Sequence, residues 1–242
     1  SDLGGEKIYY KLSDYDAAVG IVGHECVNEL IVGRLLTLLG IEHLTYRLIH
    51  ADVLIDGKPH TTWLCASEDF KRRGESKLAL DAFYQAERLD GESPLEFCVR
   101  NGWGEYFWRM LAVDFLILNR DRHGANIEVL RDSRKRTLRL APLFDQGLSL
   151  IFSCHDEVSV GAVRAMEDKP VQCFVGSRSA WDNLNLIPDG QLPVLPRLAE
   201  DIRQILFEGL EDAIGPAWLA KIWELLCERW RAYEGFCRQR RS

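Results

Sequence analysis

No uninterrupted apolar run in this 242-residue chain approaches the ~18–20 residues that a membrane-spanning helix needs, and no signal-peptide pattern opens it. A membrane partner is therefore not expected. Basic charge is also short: 30 Lys and Arg stand against 37 Asp and Glu, a formal net charge of −7. That balance disfavours a direct nucleic-acid binder, which carries a basic face. The seven cysteines form no CxxC pair, and His24, His43 and His50 do not group with them at metal-ligand spacing. Most cysteines sit inside apolar runs such as Trp63-Leu64-Cys65-Ala66, which reads as small buried thiols in a reducing compartment, hence the cytoplasm. There is no internal repeat and no low-complexity tract. A start at Ser1 rather than Met is read as processing or truncation.

What is present is ample core material: 47% hydrophobic residues, with seven Trp, ten Phe and seven Tyr, which argues against disorder. The length suits one large domain or two lobes. Ile8 to Leu12 reads as a strand, and Glu25 to Leu39 as a helix stopped by Gly40. Leu44 to Ile55 and Thr61 to Ala66 read as a hairpin around Asp56-Gly57. From Ser76 to Leu89 the pattern is helical, the turn Gly91-Glu92-Ser93-Pro94 follows, and Gly104 to Leu118 is a helix apolar enough to be buried. Ile127–Leu130 and Thr137–Leu140 are short strands joined by a charged turn. Residues 146–196 are irregular, Arg197–Glu208 is helical, and a last helix starts at Gly215-Pro216. The expectation is α+β: a small β-rich N-terminal lobe with one helix (1–66) and a larger, mostly helical lobe (67–242), hinged near Cys65–Asp69.

The chemistry concentrates in Asn119-Arg120-Asp121-Arg122-His123-Gly124-Ala125-Asn126 and, further on, Ala141-Pro142-Leu143-Phe144-Asp145. An Asp followed by a nearby Asn, then a second Asp ending an apolar strand, is the layout of a phosphoryl-transfer centre. One carboxylate takes or orients the proton of the attacking hydroxyl. The Asn oxygen and the second carboxylate hold magnesium on nucleotide phosphates, a task for which hard oxygen donors are suited.

Together with Asn28-Glu29 in a helix ending Leu38-Leu39-Gly40-Ile41, these strings resemble the HipA-like serine/threonine kinases, a bacterial branch of the protein-kinase-like fold. The resemblance spans about residues 8–240 and matches the short, kinase-core-only members. It implies ATP and Mg²⁺ as cofactors, a protein Ser or Thr acceptor, and a growth-regulating toxin role with a DNA-binding antitoxin partner. It implies Asp121 as catalytic base or orienting group, with His123 close to the transferring phosphate, and Asn126 and Asp145 as metal ligands. It further implies Lys11 on the phosphates, Glu29 pairing with Lys11, and backbone contacts to adenine from Cys65, Ala66, Ser67 and Glu68. A glycine-rich turn is due before the lysine strand, yet only Gly4-Gly5 stand there, and Lys7 rivals Lys11.

Other readings stay open. Phosphatidylinositol kinases share the Asp-Arg-His-x-x-Asn string and aminoglycoside phosphotransferases share the Asp…Asn…Asp spacing. The stretch from Gln146 to Pro170 is too acidic for a lipid headgroup loop. A nucleotide-binding pseudokinase would explain the thin N-terminus. Lys11 and Glu29 are alternatively an ordinary surface pair, and the Trp-rich last helix is read as core. Within 146–196, taken as the segment of substrate choice or autoregulation, Ser149, Ser153, Ser177 and Ser179 are candidate autophosphorylation sites.

Overall fold

The computed structural model describes residues 7–241; Gly4-Gly5, the expected phosphate-covering turn, lie outside them. In chain order the elements are β1 (Ile8–Leu12), β2 (Tyr15–Asp16), β3 (Gly20–Ile21), α1 (Glu25–Leu38), β4 (Tyr46–Ile55) and β5 (Lys58–Glu68). Then come β6 (Ser76–Ala79), α2 (Leu80–Glu87), α3 (Pro94–Arg100), α4 (Gly104–Ile117), β7 (Asp121–Arg122), β8 (Glu128–Asp132) and β9 (Thr137–Leu140). The chain ends with α5 (Glu157–Ala162), β10 (Gln172–Cys173), α6 (Ala180–Asn185), α7 (Glu200–Phe207) and α8 (Pro216–Gln239). The fold is mixed α and β, and among the described residues no helix is long and apolar enough to cross a membrane.

The chain divides into two compact units that are not contiguous in sequence. The first runs to Phe70 and adds Asp145–Val163 and Ala199–Trp223; the second comprises Lys71–Phe144, Arg164–Leu198 and the chain from Glu224 onward.

In the first unit, β4 and β5 form the expected hairpin. Asp56 and Gly57 both take positive φ, 50° and 77°, as the two central residues of a tight hairpin turn must. With β1 they make a three-stranded antiparallel sheet in the order β1-β5-β4, so β5 is central and Lys11 faces Cys65 in the ladder. Helix α1 buries Cys26, Val27, Ile31, Val32, Leu35 and Leu36. Gly40, at φ 63°, follows the helix in the left-handed conformation that terminates such helices. Arg34 on α1 donates to the carbonyls of Leu206 and Glu208, both at 2.9 Å, neutralising the free carbonyls at the end of α7.

In the second unit α4 carries the core. Phe107, Met110, Leu111, Val113, Phe115, Leu116 and Ile117 are all 2% exposed or less, each burial contributing roughly 1.5–3 kcal/mol before entropy is counted. Two expectations are corrected here. Ser76–Ala79, read as the start of a helix, is instead strand β6. Its backbone pairs with β8 from Ser76↔Arg131 to Ala79↔Glu128, a tertiary pairing that four residues of local pattern cannot announce. The stretch after the Gly91 turn, given no element, is helix α3. Its capping box, Ser93 with Glu96, is closed in both directions and its S-P-L-E string was a readable start signal. The irregular segment 146–196 also holds the short helices α5 and α6. Within this unit the end of the chain fastens the stretch 187–196: Trp230 and Tyr233 of α8 donate to Pro196 O at 3.2 Å and to Pro193 O at 2.7 Å, and Arg240, just past α8, donates to Ile187 O at 2.8 Å. Among the described residues no cysteine is in a disulfide, and five of the seven are buried.

Candidate active site

Each unit presents one constellation of the expected residues. In the first, β1 carries Lys11 and α1 carries Glu29. The Lys11 ammonium lies 2.7 Å from Glu29 Oε1 and also binds Asp145 Oδ1. Burial by itself pulls the lysine pKa down, but the two carboxylates outweigh it and the net shift is upward, so Lys11 is charged. Burial pushes the Glu29 carboxyl up, opposed by Lys11. This is no surface pair, since the Glu29 side chain is fully buried. The second Glu29 oxygen accepts from the Gln146 amide at 2.7 Å. One glutamate thus fixes both the lysine and the backbone beside Asp145.

Asp145 itself takes a left-handed backbone, φ 58°, a conformation Asp tolerates better than most residues. Its amide donates to the Tyr46 hydroxyl at 3.2 Å. Asn28, next to Glu29 and fully buried, donates to the carbonyls of Gly147 and Ser149 at 2.9 and 3.1 Å. Space at Gly147 is tight: a Cβ there would lie 3.0 Å from Glu25 Cβ and 3.3 Å from Lys11 Nζ. Lys7, the rival lysine, is placed over the Tyr9 ring at 4.4 Å from its centroid. Cys65, Ala66 and Ser67 are paired with both β1 and β4, while Glu68 pairs only with Ile8.

In the second unit Asp121 and Arg122 form β7 and Gly124–Asn126 a single 3-10 turn. Asn126 folds back on Asp121, its Nδ2 donating to Asp121 O at 2.8 Å and approaching Oδ2 at 3.3 Å. The amide oxygen of Asn126 is thereby left as the free donor atom. His123 Nδ1 accepts from the Ala125 amide at 3.2 Å, which puts the neutral ring's proton on Nε2, 3.5 Å from Asp121 Oδ1. The Asp121 side chain keeps 22% exposure, enough to meet a substrate.

Arg122 holds the loop. Its guanidinium is 1% exposed and makes a two-pronged pair with Asp114 on α4, both contacts 3.0 Å, plus a bond to Phe144 O at 3.0 Å. Asp114 also accepts from Asn119 at 2.9 Å, and Asn119 Oδ1 accepts from the Asp121 amide at 3.0 Å. Asp114, Asn119 and Tyr46 were not assigned roles from sequence. Asp114 was findable, as the single charge in the apolar run Met110–Ile117, because buried carboxylates need partners.

No family model matches the chain, and no curated protein matches it in sequence. Its structure does have likenesses. The proinflammatory kinase CtkA of Helicobacter pylori superposes with a TM-score of 0.61 at 16% identity, over 93% of this chain and 84% of that one. HipA of Shewanella oneidensis MR-1, solved in a toxin–antitoxin complex with HipB and operator DNA, superposes with a TM-score of 0.50 at 16% identity. That match covers 100% of this chain but only 66% of the HipA chain. The fold is therefore kinase-like. More particularly, it is a fold shared with CtkA and with HipA.

Proposed function

We propose that this chain is an ATP- and Mg²⁺-dependent phosphotransferase acting on serine or threonine of a protein. The observation that carries the reading is the meeting of Lys11, Glu29 and Asp145 around one buried carboxylate in the first unit, together with an independent Asp121–His123–Asn126 constellation in the second. The kinase-like fold supports it. A bilobal division into 1–66 and 67–242, with nucleotide phosphates on Lys11 and adenine against the end of β5 at Glu68, completes it. Cys65, Ala66 and Ser67 then shape that strand rather than offer free backbone donors.

The donor atoms fit magnesium. Among the described residues no group of three or more His, Cys, Asp or Glu could hold a metal ion. By their chemistry, the amide oxygen of Asn126 and a carboxylate oxygen of Asp145 would each serve as a hard donor of the kind magnesium takes alongside phosphate oxygens. The ion would supply neutralisation of charge on the phosphates. Asp121 accepts the proton of the acceptor hydroxyl as that oxygen bonds to the γ-phosphorus and the bond to ADP breaks. His123 Nε2–H orients the Asp121 carboxylate. Lys11, held by Glu29, compensates phosphate charge. This is catalysis by positioning and electrostatics.

A toxin role with an antitoxin partner belongs to the same reading, by analogy with the HipA complex; a cytoplasmic setting is proposed with it from the cysteines, none of which is in a disulfide among the described residues. The test is transfer of label from γ-labelled ATP. Asp121→Asn and Asp145→Asn should each reduce it by about 10²–10⁴-fold; activity surviving in both sinks the assignment.

A further inference from the structure

Beside the catalytic loop, and wholly within the second unit, lies a cavity of about 770 Å³, in the range of built ligand sites. Asp81, Arg120, His123, Gln172, Ser177 and Arg178 are among its lining residues. The cavity is locked to the loop. β10 runs parallel to β7 with Gln172 opposite Asp121 and Cys173 opposite Arg122. The amides of Gln172 and Phe174 donate to the carbonyls of Arg120 and Arg122 at 3.0 and 2.8 Å. Whatever sits in the cavity is therefore held in register with Asp121.

Its charge is local and positive in a chain whose net charge is −7. Arg120 spends Nε on Pro170 O at 2.6 Å; its terminal nitrogens have no carboxylate partner among the described residues. Exposed Arg178 likewise has no ion-pair partner among them. Asp81, the lone lining carboxylate, accepts from the Ala82 amide at 2.7 Å. The wall that carries Arg178 is fixed in advance. Buried Asn183 accepts from the Ser177 amide at 2.6 Å and donates to the Ser177 carbonyl at 3.0 Å, and Val171 donates to Arg178 O at 2.9 Å. Two guanidiniums on a prebuilt wall match the planar oxygens of a carboxylate or a phosphate.

We infer that this cavity seats an anionic side chain, carboxylate or phosphate, of the acceptor segment, so that acidic or already phosphorylated sequences are selected. The inference rests on the phosphoryl-transfer reading of Asp121. The experiment uses the full chain and fluorescent serine peptides that differ in one flanking residue: Glu, phosphoserine, Ala or Lys. Binding is followed by anisotropy and transfer from ATP in parallel. The Glu or phosphoserine peptides should bind about tenfold tighter than Ala, with Lys weakest, and Arg178→Glu should reverse that order. Equal binding of the two anionic peptides points to acidic segments, and a further gain for phosphoserine points to a previously phosphorylated target. Four peptides binding alike, or an order unchanged by Arg178→Glu, overturns the inference. The charge-ordered binding with no transfer to any peptide keeps this site and sinks the kinase reading. Transfer without charge preference does the reverse.

Discussion

Removing the Asp114 carboxylate tests how the loop carrying Asp121 is held. Arg122 is 1% exposed and its guanidinium pairs with Asp114, itself only 13% exposed in the side chain. Asp114→Ala would strip that buried cation of its two-pronged carboxylate, which costs about 3–5 kcal/mol. Against a total stability of roughly 5–15 kcal/mol, this is a large fraction, and it should move a urea midpoint down by roughly 1–2 M. Replacing both partners at once, Asp114→Leu with Arg122→Met, removes the charge with its counter-charge and should recover most of the loss. Activity should not recover with it. Asn119 would still have lost its carboxylate, and the loop carrying Asp121 would have lost its bond to Phe144 O. The measurements are urea unfolding followed by Trp fluorescence, and label transfer from ATP, on both single variants and the double. A loss under about 1 kcal/mol in Asp114→Ala, or a double variant no more stable than that single variant, would refute the reasoning.

Lys11→Met should weaken ATP binding at least about tenfold by thermal shift titration, and Lys7→Met should not; the reverse would transfer the phosphate role to Lys7. Stability should depend on pH through His24, which is 8% exposed. Burial, with His155 adding to it, lowers its pKa from 6.5 to about 4. Between those values the unfolded chain binds more protons. The contribution of the neutral ring is therefore full above pH 6.5 and lost as pH falls through about 4, roughly 3 kcal/mol in all. His24→Gln should flatten that part of the pH profile of unfolding, and an unchanged slope would reject the assignment. A Cβ at Gly124 would lie 2.6 Å from Asp81 Cβ and 3.0 Å from Asp81 N, so Gly124→Ala should cost about 1–3 kcal/mol and shift the 3-10 turn carrying Asn126. A melt and transfer assay matching the parent protein would show that the turn is not so constrained. Ser149 is fully buried and its Oγ lacks a hydrogen-bond partner among the described residues, so Ser149→Ala should be neutral or stabilising by up to about 1 kcal/mol; phosphate found on Ser149 would contradict this burial.

The elements that sequence patterns could announce are those whose reason is local. Ile8–Leu12, the Asp56-Gly57 hairpin, the helix stopped at Gly40, buried α4 and the Pro216 helix all follow from periodicity, turn chemistry or caps, and the structure contains them. The strings around Asp121, Asn126 and Asp145 stood out as candidates too, because oxygen donors at the ends of apolar elements are costly to keep for packing alone. What only tertiary structure decided depends on partners distant in sequence. Ser76–Ala79 became a strand because β8 was there to pair with it. Asp145–Val163 and Ala199–Trp223 joined the first unit, which no linear pattern specifies. Lys11 rather than Lys7 meets Glu29 because the pairing of β1 with β5 sets Lys11 opposite Cys65, whereas Lys7 precedes the strand and lies over the Tyr9 ring. Arg122 needed Asp114 because a guanidinium out of water must find its counter-charge wherever the fold brings one.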